Sequence, residues 1–375
     1  MIIITIRNMS YFIRFCKFLD TRVENGRKIF ETSFNNRVSF YMINPFSTTG
    51  IGSMPHRDAE EACRLVLKTF DIPFWPQLPQ ISFKEFMIPQ YSEGMPCFRI
   101  DIERQTFWVE KKPSEELDRF YESCSENSRI AISEDYAKGF HRFIAMVRNR
   151  QFPVLKGHIT GPLTFTLGLK DDSGRLIYFD EEFREVSLML LKAKVRWQLD
   201  MLKSSAEDII IFIDEPILSA LGSSSYLSVS SEEALRLLRE IVITIKSEGG
   251  IAGIHCCGNA DWPLVIKSGV DIINFDAYEY AETISLYPDN FRGFLEGGGF
   301  LAWGIVPTSD VIRSASPESV RRRFDKGFSA LSQTIPENLL KKNLMLTPSC
   351  GTGSRSSDET LKIFQLLMRL KEELA

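Results

Sequence analysis

Short apolar runs alternate with longer amphipathic segments along most of this chain. Several of the runs are continuously apolar, as strands buried on both faces of a parallel sheet are. The eight predicted strands are Thr48–Ser53, Phe98–Ile102, Val154–His158, Ile209–Ile213, Ile251–His255, Asp271–Phe275, Phe300–Ile305 and Leu344–Thr347. Eight strands alternating with helices predict an α/β fold, a single (β/α)8 TIM barrel. An open doubly wound sheet is the alternative, because periodicity alone does not establish closure.

Helix starts between these strands have readable signals. Ser230 with Glu233, and Ser356 with Glu359, have the spacing of a capping box, in which each side chain bonds the other residue's backbone N–H. These signals predict helices that begin near residues 231 and 357.

Two regions interrupt the alternation. Residues 71–112 contain an irregular proline-rich stretch and a segment, Phe98–Glu110, with the pattern of a hairpin, so we predict an insertion near the barrel mouth. Residues 1–41 hold seven Lys/Arg against three Asp/Glu and lack the organised pattern that follows. We expect an N-terminal extension over residues 1–41, with Met42 as the native start, and one barrel domain over residues 42–375.

Composition narrows the class of protein. A net charge of −4 provides no basic field that would attract nucleic acid. The seven cysteines are scattered and odd in number, which favours a reducing compartment and a cytoplasmic protein over a disulfide framework. No uninterrupted apolar stretch approaches the roughly 18 residues of a membrane span, so we expect no membrane partner.

An imidazole and two thiols lie directly after predicted strands. His255 and Cys257 are two residues apart, a spacing that in an extended segment sends both side chains to the same side. Cys350 follows the last strand in the same manner. Because strand ends meet at one rim of a parallel barrel, the three residues predict a zinc site of the catalytic type, with an exchangeable position. The alternative is that they are simply small buried side chains.

Carboxylates at other strand ends complete the predicted site. Asp276 ends the sixth predicted strand and is the preferred fourth metal ligand on position, with Glu279 as the alternative. Asp214 and Glu215 follow the fourth strand, where a carboxylate is costly unless it is paired or used. We therefore predict that they bind ligand, although one of the two would serve equally well to cap the next turn.

Two further strand ends carry polar side chains. Ser53 lies beside glycines that allow a backbone to approach a ligand closely. His158 ends the third strand and is a candidate acid, base or hydrogen-bond donor.

These segments together resemble the catalytic C-terminal domain of cobalamin-independent methionine synthase, within the uroporphyrinogen decarboxylase and methionine synthase-like superfamily. The resemblance runs from about Thr49 to the C-terminus. The motifs that carry it are Ile51-Gly52-Ser53, Thr160-Gly161-Pro162, Ile213-Asp214-Glu215-Pro216, His255-x-Cys257 and Cys350-Gly351.

The resemblance implies roles for individual residues. Ile51 and Ser53 would hold an amino acid substrate, and Asp214 would contact its amino group. The implied zinc ligands are His255, Cys257, Cys350 and Asp276, or Glu279 in place of Asp276.

Two departures from the family bear on the substrates. The chain is too short for the family's second, folate-binding barrel, and the family's acidic Gly-Glu-Pro segment is here replaced by residues 74–79. The resemblance therefore does not identify the methyl donor as folate or the methyl acceptor as homocysteine. Single-barrel relatives take methyl groups from corrinoid proteins, some delivering them to coenzyme M.

The residues and the resemblance together predict a zinc-dependent methyltransferase that moves a methyl group to a zinc-activated thiol. The acceptor would be homocysteine or a related thiol such as coenzyme M, and the donor a methyl-corrinoid, delivered by a corrinoid protein, or methyl-folate. In this scheme Asp214 positions the acceptor and His158 assists the leaving group. The alternatives are a metal-free decarboxylase-like lyase and a non-catalytic protein that binds a corrinoid or thiol.

Overall fold

The computed structural model describes residues 43–111, 115–221, 223 and 226–374, together with the backbone of two short strands nearer the N-terminus. The chain divides into two units, Met1–Ser39 and Phe40–Ala375. In the first unit, β1 (Arg22–Glu24) pairs antiparallel with β2 (Arg27–Ile29). The rest of the expected extension over residues 1–41, and Met42, lie outside the described residues, so this division of the chain stays a prediction.

Six parallel strands form the main sheet of the second unit, and they follow one another across the sheet in chain order. They are β5 (Phe152–Thr160), β6 (Ala206–Asp214), β7 (Ile251–Cys256), β8 (Ile272–Phe275), β9 (Phe300–Val306) and β10 (Leu344–Pro348). Nearly every residue of these strands is buried, which explains why their sequences are continuous apolar runs rather than alternating ones.

Helices connect the strands. Within the described residues the α-helices are Ala59–Thr69, Met87–Ser92, Glu115–Ser123, Lys138–Val147, Pro162–Gly168, Glu181–Leu202, Ser231–Ser247, Trp262–Lys267, Ala277–Tyr280, Pro288–Glu296, Pro317–Ser332, Glu337–Lys342 and Ser357–Leu374. Short 3₁₀ helices lie at Phe83–Glu85, Ile177–Phe179, Pro216–Ser219, Ala281–Leu286 and Asp310–Arg313.

The predicted helix starts are confirmed. The Ser230 hydroxyl accepts a hydrogen bond from the Glu233 N–H at 3.3 Å. Ser356 and Glu359 form the complete reciprocal box, each side chain accepting from the other's backbone N–H at 3.1 Å. These caps satisfy N–H groups that have no partner within their helix. Among the helices that the structure describes, none is long and apolar enough to cross a membrane.

Two irregular segments cover the edges of the six-stranded sheet. Residues 48–53 lie along β10 and residues 72–77 lie along β5, and the two segments also touch each other. Each contact is an isolated parallel bridge; the three pairs are Thr48 with Leu346, Phe74 with Lys156, and Ser53 with Gln77. The parallel sheet is thus curled as a half-barrel, and its two edges are linked through these segments.

Two of the eight strand predictions need correction. Phe98–Ile102 is not part of the main sheet, because β3 (Phe98–Asp101) pairs only with β4 (Thr106–Val109) in a separate antiparallel hairpin. The hairpin predicted within the insertion is therefore confirmed, while the barrel strand predicted there is wrong. Thr48–Ser53, predicted as the first barrel strand, lies along β10 but forms isolated bridges rather than a continuous strand.

Candidate active site

Three neighbouring strands place polar side chains in one row. Asp214 at the end of β6 is the register partner of His255 on β7, and His255 is the partner of Asn274 on β8. Paired residues of a parallel ladder point to the same face, so these side chains project to the same side of the sheet. The row lies near the carboxyl ends of the three strands, where parallel α/β folds usually bind their ligands.

The predicted ligands His255, Cys257 and Cys350 lie together at this end. One ring nitrogen of His255 and the two sulfur atoms all lie within 4.8 Å of one another. Zinc held tetrahedrally at its usual bond lengths keeps its ligand atoms about 3.5–3.8 Å apart, so small side-chain adjustments would suffice to enclose it. One imidazole and two thiols are also a donor set that suits zinc rather than magnesium or calcium.

A buried amide fixes the chemical state of His255. The Asn274 side-chain NH₂ donates to the carbonyl of Ala302 and to the Thr347 hydroxyl, both at 2.7 Å. Because a carbonyl can only accept, the amide oxygen of Asn274 must face Nδ1 of His255, which therefore carries the proton. The other ring nitrogen, Nε2, is buried and has no hydrogen-bond partner in the described part of the chain. An unprotonated Nε2 is the form in which histidine binds a metal.

The pKa values agree with this assignment. Burial lowers the pKa of His255 to about 4, so its ring is neutral at pH 7. A hydrogen bond from the Cys350 thiol lowers the pKa of Cys257 to about 7, and the same contact raises the pKa of Cys350 well above its usual value. One thiolate is therefore accessible at neutral pH before any metal binds, which lowers the cost of loading the site.

Asp276 does not join the three ligands. Its carboxylate accepts a hydrogen bond from the Glu279 N–H at 3.0 Å and caps the Ala277–Tyr280 helix. Burial raises the pKa of Asp276 to about 6. Neither Asp276 nor Glu279 lines the cavity beside the ligands, so a role for either as fourth ligand stays a prediction.

The ligand cluster opens onto a cavity of about 380 Å³. The described residues that line it are Ile51, Ser53, Gln77, Pro79, Gln80, Phe86, Met87, Asp214, Pro216, His255, Cys257, Cys350, Gly351, Gly353 and Ser354. Apolar walls with a few convergent polar groups are typical of small-molecule sites.

Asp214 lines this cavity and faces a buried lysine. Its Oδ1 atom is buried without a hydrogen-bond partner among the residues described. Burial raises the pKa of Asp214 to about 7, against the attraction of the Lys156 ammonium. Burial likewise lowers the pKa of Lys156 to about 7. The Lys156 Nζ donates to the carbonyl of Ile51 at 2.5 Å, so the lysine also fixes the backbone of a residue in the cavity wall.

Glu215 lies elsewhere, although it is adjacent to Asp214 in the chain. Its buried carboxylate accepts hydrogen bonds from the N–H groups of Leu163 and Thr164 and from the Thr164 hydroxyl, at 2.6–2.8 Å. It thereby caps the Pro162–Gly168 helix, and it is not among the cavity-lining residues. The structure therefore provides a capping role for Glu215, while substrate binding by this residue stays a prediction.

His158 is buried and is not among the residues that line the cavity. Its ring stacks on Trp75 at a centroid distance of 3.8 Å, and both ring nitrogens are buried without a partner in the described structure. Burial lowers its pKa well below 6.5, so the ring is neutral. A Cβ on Gly52 would come within 2.8 Å of this ring, so the residue at position 52 must be glycine for the wall to close over it.

Ile51 and Ser53 lie where the sequence predicts, on the cavity wall. The Ser53 hydroxyl accepts a hydrogen bond from the Gly353 N–H at 3.3 Å. A Cβ on Gly351 would lie 2.1 Å from the Ser53 hydroxyl oxygen, so a larger residue at that position would force this hydroxyl to move.

Three residues of this region were not anticipated as site residues: Asn274, Lys156 and Gln77. A buried amide inside the apolar run Ile272–Phe275 was a readable signal for Asn274, because an unpaired amide in a strand core is costly. Lys156 offered the same kind of signal within β5. Nothing in the local sequence distinguished Gln77.

Comparison with known proteins gives a likeness of fold. No model of a known protein family matches the chain, and no curated protein matches it. A B12-independent methionine synthase from Shewanella sp. W3-18-1, solved with selenomethionine, is similar over 88% of this chain and 98% of its own, with 14% identity and a TM-score of 0.52. A methyltransferase from Methanosarcina mazei is similar over 88% and 94%, with 15% identity and a TM-score of 0.53. At these identities the likeness concerns the fold alone.

Proposed function

We propose that this protein is a zinc-dependent methyltransferase that transfers a methyl group to the sulfur of a small thiol. The observation that carries the proposal is the convergence of His255, Cys257 and Cys350 on the wall of a cavity of about 380 Å³. The two solved structures with a similar fold, described as a methionine synthase and a methyltransferase, support the same class of reaction.

His255 through Nε2, and Cys257 and Cys350 through their sulfur atoms, would hold the metal. A bound zinc ion would lower the pKa of a coordinated substrate thiol, so that it is a thiolate at neutral pH. Asn274 keeps the His255 ring oriented with its lone pair toward the ligand group. Asp276 stays a predicted fourth ligand.

The remaining wall would bind and orient the thiol. Asp214 supplies a partner for a cationic or hydrogen-bond-donating group, and Ile51 and Ser53 place backbone and hydroxyl groups beside it. In the transfer, a bond forms between the thiol sulfur and the methyl carbon, the bond from methyl to donor breaks with both electrons leaving on the donor, and the thiol proton is released.

The proposal includes a closed barrel. The two segments at the sheet edges, residues 48–53 and 72–77, would stand in the positions of the first and second strands, which brings the count to eight. Closure matters for the reaction because it draws Ser53 and Gln77 to the same cavity as Cys350.

The donor and acceptor are tested together by a transfer assay. Zinc-loaded protein is incubated with homocysteine or coenzyme M, and with methylcobalamin or methyl-tetrahydrofolate as donor. We expect one thioether product, accompanied by release of cob(I)alamin when methylcobalamin is the donor. Metal-stripped protein and the Cys350→Ala variant should form none.

Two results would overturn the proposal. Metal-stripped protein that methylates a thiol as fast as the zinc-loaded form would remove the metal from the reaction. Tight binding of a tetrapyrrole acid, with decarboxylation and no methyl transfer, would favour the metal-free lyase instead.

A further inference from the structure

Lys156 is a fully buried lysine on β5 that holds two other segments of the chain. Its backbone N–H donates to the carbonyl of Pro73 at 2.8 Å. Its side-chain Nζ donates to the carbonyl of Ile51 at 2.5 Å. These two carbonyls belong to residues 72–77 and 48–53, the segments that lie along opposite edges of the six-stranded sheet. A single residue therefore connects both edge segments to β5.

The contact with Ile51 holds a part of the cavity wall that has few other anchors. The segment is bonded at Thr49, whose N–H donates to a carbonyl of β10 at 3.2 Å, and at Gly52, whose carbonyl accepts from the Gln77 N–H at 3.1 Å. Between these two residues, the Lys156 ammonium supplies the one hydrogen bond to the backbone in the described part of the chain. Because Ile51 lines the cavity, the position of this wall depends on Lys156.

The surroundings of Lys156 fix its ammonium but do not replace water well. The ammonium lies over the ring of Phe212 at 4.4 Å from the centroid and over that of Phe74 at 5.5 Å, and the Asp214 carboxylate attracts it. Burial nevertheless lowers the pKa of Lys156 to about 7. A neutral side chain of the same length would fill this space without burying a charge. Packing alone therefore does not explain a lysine at this position.

We propose that Lys156 is a positioning residue for methyl transfer, whose ammonium holds the Ile51 carbonyl, and with it the cavity wall, in the position that thiol binding requires. This inference rests on the proposed function, because it assumes that a thiol occupies the cavity. Lys156 is not among the described residues that line the cavity, so it acts through Ile51. Displacing a group that positions a substrate by about 1 Å can cost about 100-fold in rate.

A binding experiment tests the inference without turnover. The protein is loaded with Co²⁺, whose sulfur-to-cobalt absorption reports thiol coordination, and is titrated with homocysteine or coenzyme M. A second titration uses azide, a small anion that binds the metal without needing the wall. Lys156→Met should raise the dissociation constant of the thiol at least about fivefold, the scale of one lost hydrogen bond, and that of azide clearly less. The comparison separates the position of the wall from the loss of a positive charge, which acts on both anions.

Lys194→Met is the matched control. Lys194 is also fully buried, its Nζ donates to a single carbonyl, that of Ala131 at 3.4 Å, and burial lowers its pKa to about 7 as well. It lies on the Glu181–Leu202 helix and does not line the cavity, so its replacement should leave both dissociation constants unchanged. Circular dichroism confirms that each variant is folded. Lys156→Gln, which also removes the ammonium but keeps a polar side chain, gives the same test should the methionine variant fail to fold.

The outcomes separate the two proposals. Thiol and azide affinities that fall by the same factor in Lys156→Met would show that Lys156 acts through its charge alone, and would overturn the positioning role. An unchanged thiol affinity in the folded variant, or an equal loss in Lys194→Met, would overturn it too. All three results leave the thiol methyltransferase standing. If neither thiol produces a sulfur-to-cobalt band in wild-type protein, the proposed function fails and the inference fails with it.

Discussion

Two histidines at strand ends, His255 and His158, show how different two such positions can be. Both are buried, and burial lowers the pKa of both, so both are neutral at pH 7. His255 is held by Asn274 through Nδ1 and presents Nε2 beside two thiols. His158 is stacked on Trp75, and neither of its nitrogens has a partner in the described structure.

The difference lies in the polar partner rather than in the position along the strand. A neutral histidine becomes a directed metal ligand when one nitrogen is fixed by an acceptor and the other faces an open site. Stacking fixes the ring plane of His158 without choosing which nitrogen carries the proton. Of the two, only His255 has a defined tautomer and an open side, so we propose the metal chemistry for His255. For His158 the structure shows packing against Trp75, and the predicted role of His158 with the leaving group stays a prediction.

Replacing each histidine in turn should give the largest predicted difference in zinc affinity. His255→Ala should lower zinc affinity more than about 100-fold, since loss even of a residue that only orients a ligand costs 10- to 100-fold. His158→Phe keeps a ring against Trp75 and should leave zinc affinity within about threefold. Competition with a chromophoric chelator measures both. A large loss of zinc affinity in folded His158→Phe protein would contradict the claim that only His255 of the two supports zinc binding.

Replacing Asn274 tests whether a polar partner makes His255 a metal ligand, with a smaller expected loss of zinc affinity. Asn274→Ala leaves all three metal ligands in place but frees the His255 ring, so we expect a 10- to 100-fold loss of zinc affinity. Asn343→Ala is the control. Asn343 is also a buried amide, which donates to the carbonyl of Leu339 at 3.0 Å, and it precedes β10, at the end of that strand away from Cys350. Equal zinc affinities in the two variants would show that Asn274 does not support the ligand.

The pH dependence of stability tests the packing role of His158 and is the smallest effect. Its folded pKa lies well below the unfolded value of about 6.5, so the unfolded chain binds more protons below that pH. The free energy of unfolding should therefore fall on acidification below pH 6.5, with a contribution of up to about 1.4 kcal/mol per pH unit.

This contribution should be missing in His158→Phe. Denaturant unfolding of wild type and variant between pH 7 and pH 5 isolates it as the difference between the two curves, because the other titrating groups are common to both. Parallel curves would show that His158 is protonated as easily in the folded protein as in the unfolded chain.

The sequence was informative about strands wherever the chain forms long ladders. The predicted run Ile209–Ile213 lies inside β6 (Ala206–Asp214), and the later strands agree to within a few residues. Residues 72–77 are irregular as predicted, because Pro73 and Pro76 supply no N–H to a ladder. The sequence did not indicate that this segment lies along β5 through an isolated bridge. Periodicity also identified Phe98–Ile102 as a strand, yet it contains no information about which strand pairs with it.

The candidate site, too, could be predicted from the sequence only in part. Strand-end placement was enough to bring together His255, Cys257 and Cys350, because one rim collects the ends of all parallel strands. The period of two along a strand also separates Asp214 from Glu215, which lie on opposite sides of the chain. The hydrogen bond from the Gln77 amide to the Gln90 side chain could not be predicted, since only the fold brings these two residues together.

The zinc content of purified protein tests the central claim most directly, with Cys257→Ala compared with Cys256→Ala. Both cysteines belong to one segment, but Cys256 is fully buried and lies outside the ligand group, while Cys257 lines the cavity. The account predicts about one zinc per chain in wild type and in Cys256→Ala, and none in Cys257→Ala. Zinc retained in Cys257→Ala, or absent from carefully prepared wild type, would contradict it.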